Sequence, residues 1–290
     1  MADAAKAEPT IEEKILADLK KSGFPLEIWA ASELRARGWN VRHQGYYEDS
    51  DTKKGGTIDI IAGRAIALEG RVPDRITTQC ILECKQKGEN VKDRMKEDKE
   101  LKPWVFYVPG VPPVDDKLLG ALDLIKTVSN LDISTVLQYT YHSHQVIKEN
   151  HYAVIALEAF SGGWNKTTHD AISQVTKATL HRQAEVQKTY GRLKQIKGME
   201  NSLLVLYPVI LFDGPMFELA VDAKGELSVT ATDHVVYYHE AGPDQRLLID
   251  VVKREYLSKL LTAIDYESDR FAKNPMPFKE TAPATPAPRG

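Results

Sequence analysis

Two short segments constrain the fold more than any other part of the chain: TIDIIA at 57–62 and TQCILECKQ at 78–86. Both are almost continuously apolar, the pattern of strands buried on both faces. Such strands sit inside a sheet that helices cover. Further strand-like runs lie at 40–47, 102–108, 152–160 and 203–212, with shorter ones at 216–221, 227–231 and 235–239. Helical patterns at 11–19, 26–37, 166–196 and 251–264 fall among them. Gly38 is placed to stop the second helix, and EDSDTKKGG at 48–56 reads as a turn. The order predicts a sheet with helices packed on it, α/β or α+β in class.

Composition removes several other classes. With 42% hydrophobic and 27% charged residues in 290, the chain is neither mainly disordered nor a disulfide-stapled miniprotein. The longest apolar run, 203–212, is half of the ~20 residues that a spanning helix needs. The N-terminus lacks a signal-peptide core. These features predict a cytoplasmic protein with no membrane contact. Cys80 and Cys84 on one strand would lie ~13 Å apart, too far for a disulfide. Residues 1–9 read as a loose start. Residues 272–290 hold five of the fifteen prolines and read as a disordered tail. The folded domain is then 10–271, with mixed helical signals at 111–150 that fit no place in the pattern.

Ionisable residues stand out against this apolar background. At 100° per residue, Leu26, Ala30 and Leu34 form one helix face, and Glu27 falls inside it. Strand alternation puts Asp59 beside Ile61, and puts Glu83 and Lys85 beside Ile81. A carboxylate in such a place costs several kcal/mol unless it is paired or binds a metal. Any one of them alone would read as an ordinary ion-pair partner. Together they point to a site. If the two strands are neighbours, Asp59 and Glu83 meet around one divalent cation, and hard oxygen donors suit Mg²⁺ or Mn²⁺. Lys85 would then orient water or stabilise charge on a phosphate.

The segment GFPLEIWAASELRARGWNVRHQGYYEDSDTKKGGTIDIIAG, followed by CILECKQ and KPWVFYV, resembles the PD-(D/E)XK nuclease superfamily. The resemblance covers residues 22–108 well and the elements at 166–196 and 207–214 more loosely. It implies a restriction-endonuclease-like α/β fold: a mixed sheet flanked by helices, here with an insertion at about 111–150 and extra C-terminal strands. It also implies metal-dependent hydrolysis of phosphodiester bonds, typically in DNA. Glu27 matches the helix acid, Asp59 the metal-binding acid, Glu83 the motif acid and Lys85 the motif lysine. Asp59, Glu83 and the backbone carbonyl of Cys84 would hold Mg²⁺ or Mn²⁺, with Glu27 assisting. The chain departs from the pattern in carrying Ile58 before Asp59 and a long step from Asp59 to Glu83. The alternative is a catalytically inactive nuclease-fold nucleic-acid-binding or scaffold protein, in which Lys85 merely neutralises Glu83.

With a net charge of −3, contact with nucleic acid has to rest on a local patch. The helical run 166–197 carries seven Lys or Arg against Asp170 and Glu185. Lys177, Arg182, Lys188 and Arg192 are the candidate phosphate contacts. Gln174 lies in the same run, where some members of the superfamily place a polar active-site residue. Trp104, Phe106 and Tyr107 read as strand core in preference to stacking platforms. The pair His142 and His144 is weak evidence for zinc without further ligands. Cutting both strands of a duplex would favour a homodimer.

Overall fold

The computed structural model describes residues 8–19, 22, 24–50, 52–68, 75–86, 102–109, 125–127, 151–161, 166–193, 202–242 and 245–273. The sequence readings at 1–7, 111–124, 128–150 and 274–290, His142 and His144 included, lie outside the described residues. Ala272 and Lys273, read as tail, are instead the last residues of a helix.

A short helix α1 (Ile11–Leu19) precedes α2 (Phe24–Ala36). Ser22 caps α2 by accepting the Phe24 N–H at 3.3 Å. Gly38, at φ +78°, ends the helix: Trp39 N–H donates to Leu34 O and Gly38 N–H to Arg35 O. That is a Schellman close, and its left-handed residue favours glycine. Leu26, Ala30 and Leu34, the face that the 100° spacing predicts, are buried, and Ala31 is buried beside them.

Strands β1 (Asn40–Glu48), β2 (Gly55–Ala67) and β3 (Arg75–Gln86) form an antiparallel meander. Strands β4 (Trp104–Tyr107), β5 (Ile125–Thr127) and β6 (Ile155–Glu158) follow, then the long helix α3 (Lys166–Leu193). Strand β7 (Ser202–Asp213) lies parallel to β3. Next come β8 (Met216–Val221), β9 (Leu227–Ala231), β10 (His234–Gly242) and β11 (Gln245–Lys253), and then α4 (Arg254–Lys273). The main sheet has the order β1-β2-β3-β7-β11-β10, with β5 paired to β7. A second sheet has the order β6-β4-β8-β9. This is the mixed, helix-flanked α/β arrangement that the sequence predicts. Among the described residues no helix is long and apolar enough to cross a membrane.

Each face of the main sheet has its own cover. On one, α2 and α4 pack together: Arg37 donates to Ser258 O at 2.9 Å, and Thr78 and Ser268 hydroxyls meet at 2.8 Å. On the other lie α3 and the second sheet. Arg182 of α3 donates to Gln79 at 2.8 Å. Trp104 of β4 stacks on Phe212 of β7, with centroids 4.1 Å apart. Trp104 and Phe106 are core, as read from their β-rich context.

Two expectations fail. The segment 251–264 is not one helix: Val251, Val252 and Lys253 end β11, and the helix starts at Arg254. Strand and helix meet here with no turn residue between them, so the helical period of REYLSKLL extends falsely backwards. The segment 152–160 is not a buried strand either. Only Ile155–Glu158 is extended, on the edge of the second sheet, with Ile155 and Leu157 exposed.

Candidate active site

The site forms where β2 and β3 part. Their register runs as far as Ile60↔Leu82, while β3 continues through Glu83 and Lys85 alongside β7. Beyond Leu82, the Cys84 N–H donates to Asp59 Oδ2 at 2.7 Å. A side-chain carboxylate thus satisfies a backbone donor where the ladder stops. Opposite Asp59 on β1, between the His43↔Ile60 and Gly45↔Ile58 pairs, Gln44 adopts φ +47°. A left-handed non-glycine residue inside a strand marks a locally constrained backbone.

The sequence-predicted acids and lysine meet here. Lys85 Nζ lies 2.6 Å from Glu83 Oε1 and donates to Gln174 Oε1 at 3.0 Å. Gln174 comes from α3, so the helix across the sheet fixes the lysine. Glu83 is 2% exposed. Burial, with the charge of Asp59 beside it, raises the Glu83 carboxyl to about 7, against the pull of Lys85. Glu27 reaches the same field from α2: burial, then Asp59, raises it to about 7. Burial also raises Asp59, opposed by the Cys84 N–H and Lys85. Three carboxylates therefore share one lysine in a poorly solvated place, and each is pushed toward its neutral form.

Two oxygens are left over. Glu83 Oε2 and Glu27 Oε2 are buried and accept no hydrogen bond. Buried acceptors without partners are uncommon and call for an explanation. The donor chemistry fits a hard divalent cation: the carboxylates of Asp59 and Glu83, with the Cys84 carbonyl adjacent, are oxygen ligands of the kind Mg²⁺ or Mn²⁺ takes. Among the described residues, no group of three or more His, Cys, Asp or Glu side chains is gathered tightly enough to hold a metal ion by itself. A cation here would rely on backbone and water oxygens as well. Cys80 and Cys84 are both free and buried thiols.

Of the predicted phosphate contacts, two are engaged within the chain. Lys177 Nζ lies 2.8 Å from Asp49 Oδ2, and Arg182 bonds Gln79 and, at 3.0 Å, Glu185. Lys188 is exposed. Arg192 lies in α3, with its side chain outside the described residues.

The structure adds Tyr47 and Asp49, which the sequence reading left in a strand end and a turn. Both are buried, and the Tyr47 phenol lies in the field of Lys177, Glu83, Asp49 and Lys85. The period-2 run Gly45, Tyr47, Asp49 is the signal that could have found them, since all three are buried between exposed neighbours. Gly56 lets the Tyr47 ring lie over its backbone: a Cβ there would meet Tyr47 Cζ at 2.5 Å.

Alongside, a cavity of about 910 Å³ runs along α3, lined by Asp49, Lys177, Thr176, His169 and His239 among others. It takes in the Asp49–Lys177 pair but not Glu83 or Lys85.

No family model, no curated protein and no solved structure matches the chain.

Proposed function

We propose that the chain is a metal-dependent nuclease of the PD-(D/E)XK type, hydrolysing phosphodiester bonds, most simply in DNA. One observation carries this reading: Asp59, Glu83 and Lys85 converge at the parting of β2 and β3, and Glu83 keeps a buried oxygen without a partner. The element order agrees with the resemblance. A Glu-bearing helix and three strands carrying Asp and then Glu-x-Lys follow one another as α2, β1, β2 and β3, and a helix and a further strand, α3 and β7, come after β4, β5 and β6.

Asp59 and Glu83, with the Cys84 carbonyl, would hold Mg²⁺ or Mn²⁺. The chemistry such an ion supplies is stabilisation of charge on phosphate and acidification of water. Lys85 stands where its ammonium orients an attacking water and offsets charge developing on the phosphate. Gln174 holds Nζ in place, so the lysine does not have to be ordered during reaction. Glu27, raised to about 7, can take up or release a proton near neutral pH. Lys188 and its neighbours on α3 offer contacts that position a nucleic-acid backbone.

A second reading, an inactive nuclease-fold binding or scaffold protein, draws on the closed Glu83–Lys85 pair and on the internal partners of Lys177 and Arg182. The test is direct. Purified protein and its D59A/K85A variant are incubated with supercoiled plasmid, linear duplex, single-stranded DNA and RNA, with Mg²⁺, Mn²⁺ or EDTA. Metal-dependent cutting that the variant loses is the expected result. Equal cutting by both proteins contradicts the residue assignment.

A further inference from the structure

Strand β1 is an edge of the main sheet, and its Arg42, Gln44, Tyr46 and Glu48 are exposed while Gly45 and Tyr47 are buried. A solvent face of this kind takes polar residues. Tyr46 is the aromatic among them, at 58% exposed. A lone exposed aromatic is ordinary in itself. This one is held from two sides by other elements. On β2, a Cβ at Gly55 would lie 2.7 Å from Tyr46 Cε2, so the missing side chain makes room for the ring. From α3, the His181 ring meets Tyr46 edge to face, with centroids 6.2 Å apart. His181 is fixed in turn: its Nδ1 accepts the Glu48 N–H at 3.2 Å, and its Nε2 lies 3.6 Å from Glu185.

The register sets this ring beside the acid cluster. Tyr46 pairs with Thr57, and Asp59 is the next residue on the same face of β2, about 6.6 Å along the strand. Glu83 and Lys85 share that side of the sheet with α3, whose Gln174 accepts from Lys85. Arg42 on the same face of β1, and Lys53 and Lys54 in the turn between β1 and β2, are exposed basic residues. Trp104 and Phe106 are core and offer no such ring to a ligand.

We propose that Tyr46 is a platform on which an unpaired base stacks beside the cut, so that the substrate is nucleic acid with a single-stranded segment at the scissile bond. The proposal rests on the nuclease reading of the Asp59–Glu83 site and adds to it the class of substrate. A ring one residue step from the metal-binding acid lies beside any phosphate held there. Stacking on an aromatic ring tolerates any sequence, because every base has a π-face, and basic groups beside the ring track the backbone. In an intact duplex each base is already stacked between its neighbours and paired, so it has to be flipped out before Tyr46 can take it. A single strand, a flap or a frayed end presents its bases without that cost.

Fluorescence titration tests it. The D59A/K85A variant, which leaves bound nucleic acid uncut, is titrated in EDTA with short DNA carrying 2-aminopurine, as a single strand and as the matching duplex. The single strand binds with its 2-aminopurine quenched by stacking, and the duplex binds more weakly without quenching. Adding Tyr46→Ala weakens single-strand binding about tenfold and abolishes the quenching, with circular dichroism unchanged. Tyr46→Phe, which keeps the ring, retains both. Quenching that survives Y46A, or duplex bound more tightly than single strand, overturns the proposal alone. Wild-type protein that neither binds nor cuts any nucleic acid overturns the nuclease reading and the proposal together.

Discussion

Two clusters of polar groups in the main sheet are satisfied in opposite ways. Along α4, at Asp265, Glu267 and Ser268, the groups are paired. Asp265 accepts from Arg64 at 3.0 Å, Trp39 at 3.2 Å and Arg37 at 3.4 Å. Tyr207 donates to Glu267 at 2.8 Å, and Thr78 meets Ser268. Where the sheet parts at Asp59, three carboxylates share one lysine, and two of their oxygens have no partner. Paired groups fix helices to a sheet. Unsatisfied ones weaken the fold and persist where a ligand completes them. The difference teaches that polarity inside a core does not by itself mark a site; what sets the Asp59 cluster apart is three acids gathered around one lysine.

The sharpest way to break the comparison is to remove one acid from each cluster. Asp59→Ala and Glu83→Ala should cut metal-dependent cleavage by about a thousandfold or more and leave the fold intact. Asp265→Ala should do the reverse. Losing the acceptor of three donors should cost about 2 kcal/mol of stability in denaturant melts, with kcat preserved. If D265A loses cleavage while folded, the division between the two clusters fails.

The next test uses pH. Glu83 and Glu27 stand at about 7 in the fold against an ordinary value of 4.5. A carboxyl raised by folding favours the protonated state, so its stabilisation is present below 4.5 and is lost as pH rises through about 7. Without metal, the melting temperature should therefore fall over that window. Glu83→Gln should flatten the fall, and excess Mg²⁺ should reverse it. An identical slope in E83Q removes Glu83 as the cause.

Gln174→Ala should give a smaller effect. Lys85 keeps Glu83 but loses the Gln174 amide oxygen. We expect kcat to fall about tenfold with KM nearly unchanged, because the bond orients Lys85 without touching substrate. A KM effect alone would make Gln174 a binding residue. Smallest of all, Gly38→Ala should cost about 1 kcal/mol in melting experiments through its left-handed backbone, with no effect on cleavage.

Much of this site is legible in the chain itself. Asp59, Glu83 and Lys85 could be singled out because charge inside near-continuous apolar strands has few physical explanations. Glu27 could be placed from helix geometry alone. Tyr47 and Gln174 were harder. Their roles depend on β1 pairing with β2 at the end of the sheet and on α3 crossing its face, and those are long-range facts. The same gap explains Lys177 and Arg182. A positive charge run on a helix says nothing about Asp49, which arrives from a distant turn to hold Lys177. The second sheet was also hidden: its strands come from 104–107, 155–158 and 216–231, and no local pattern shows that they pair apart from the main sheet.

The central claim is that the cluster at Asp59 and Glu83 is incomplete until a divalent cation joins it. Calorimetric titration of the metal-free protein with Mn²⁺ at pH 8 tests it most directly, in parallel with D59A, E83A and D265A. The account predicts a saturable site in the wild type and in D265A, absent from D59A and E83A. Wild-type protein that takes up no Mn²⁺, or E83A that binds it as tightly as wild type, would contradict it.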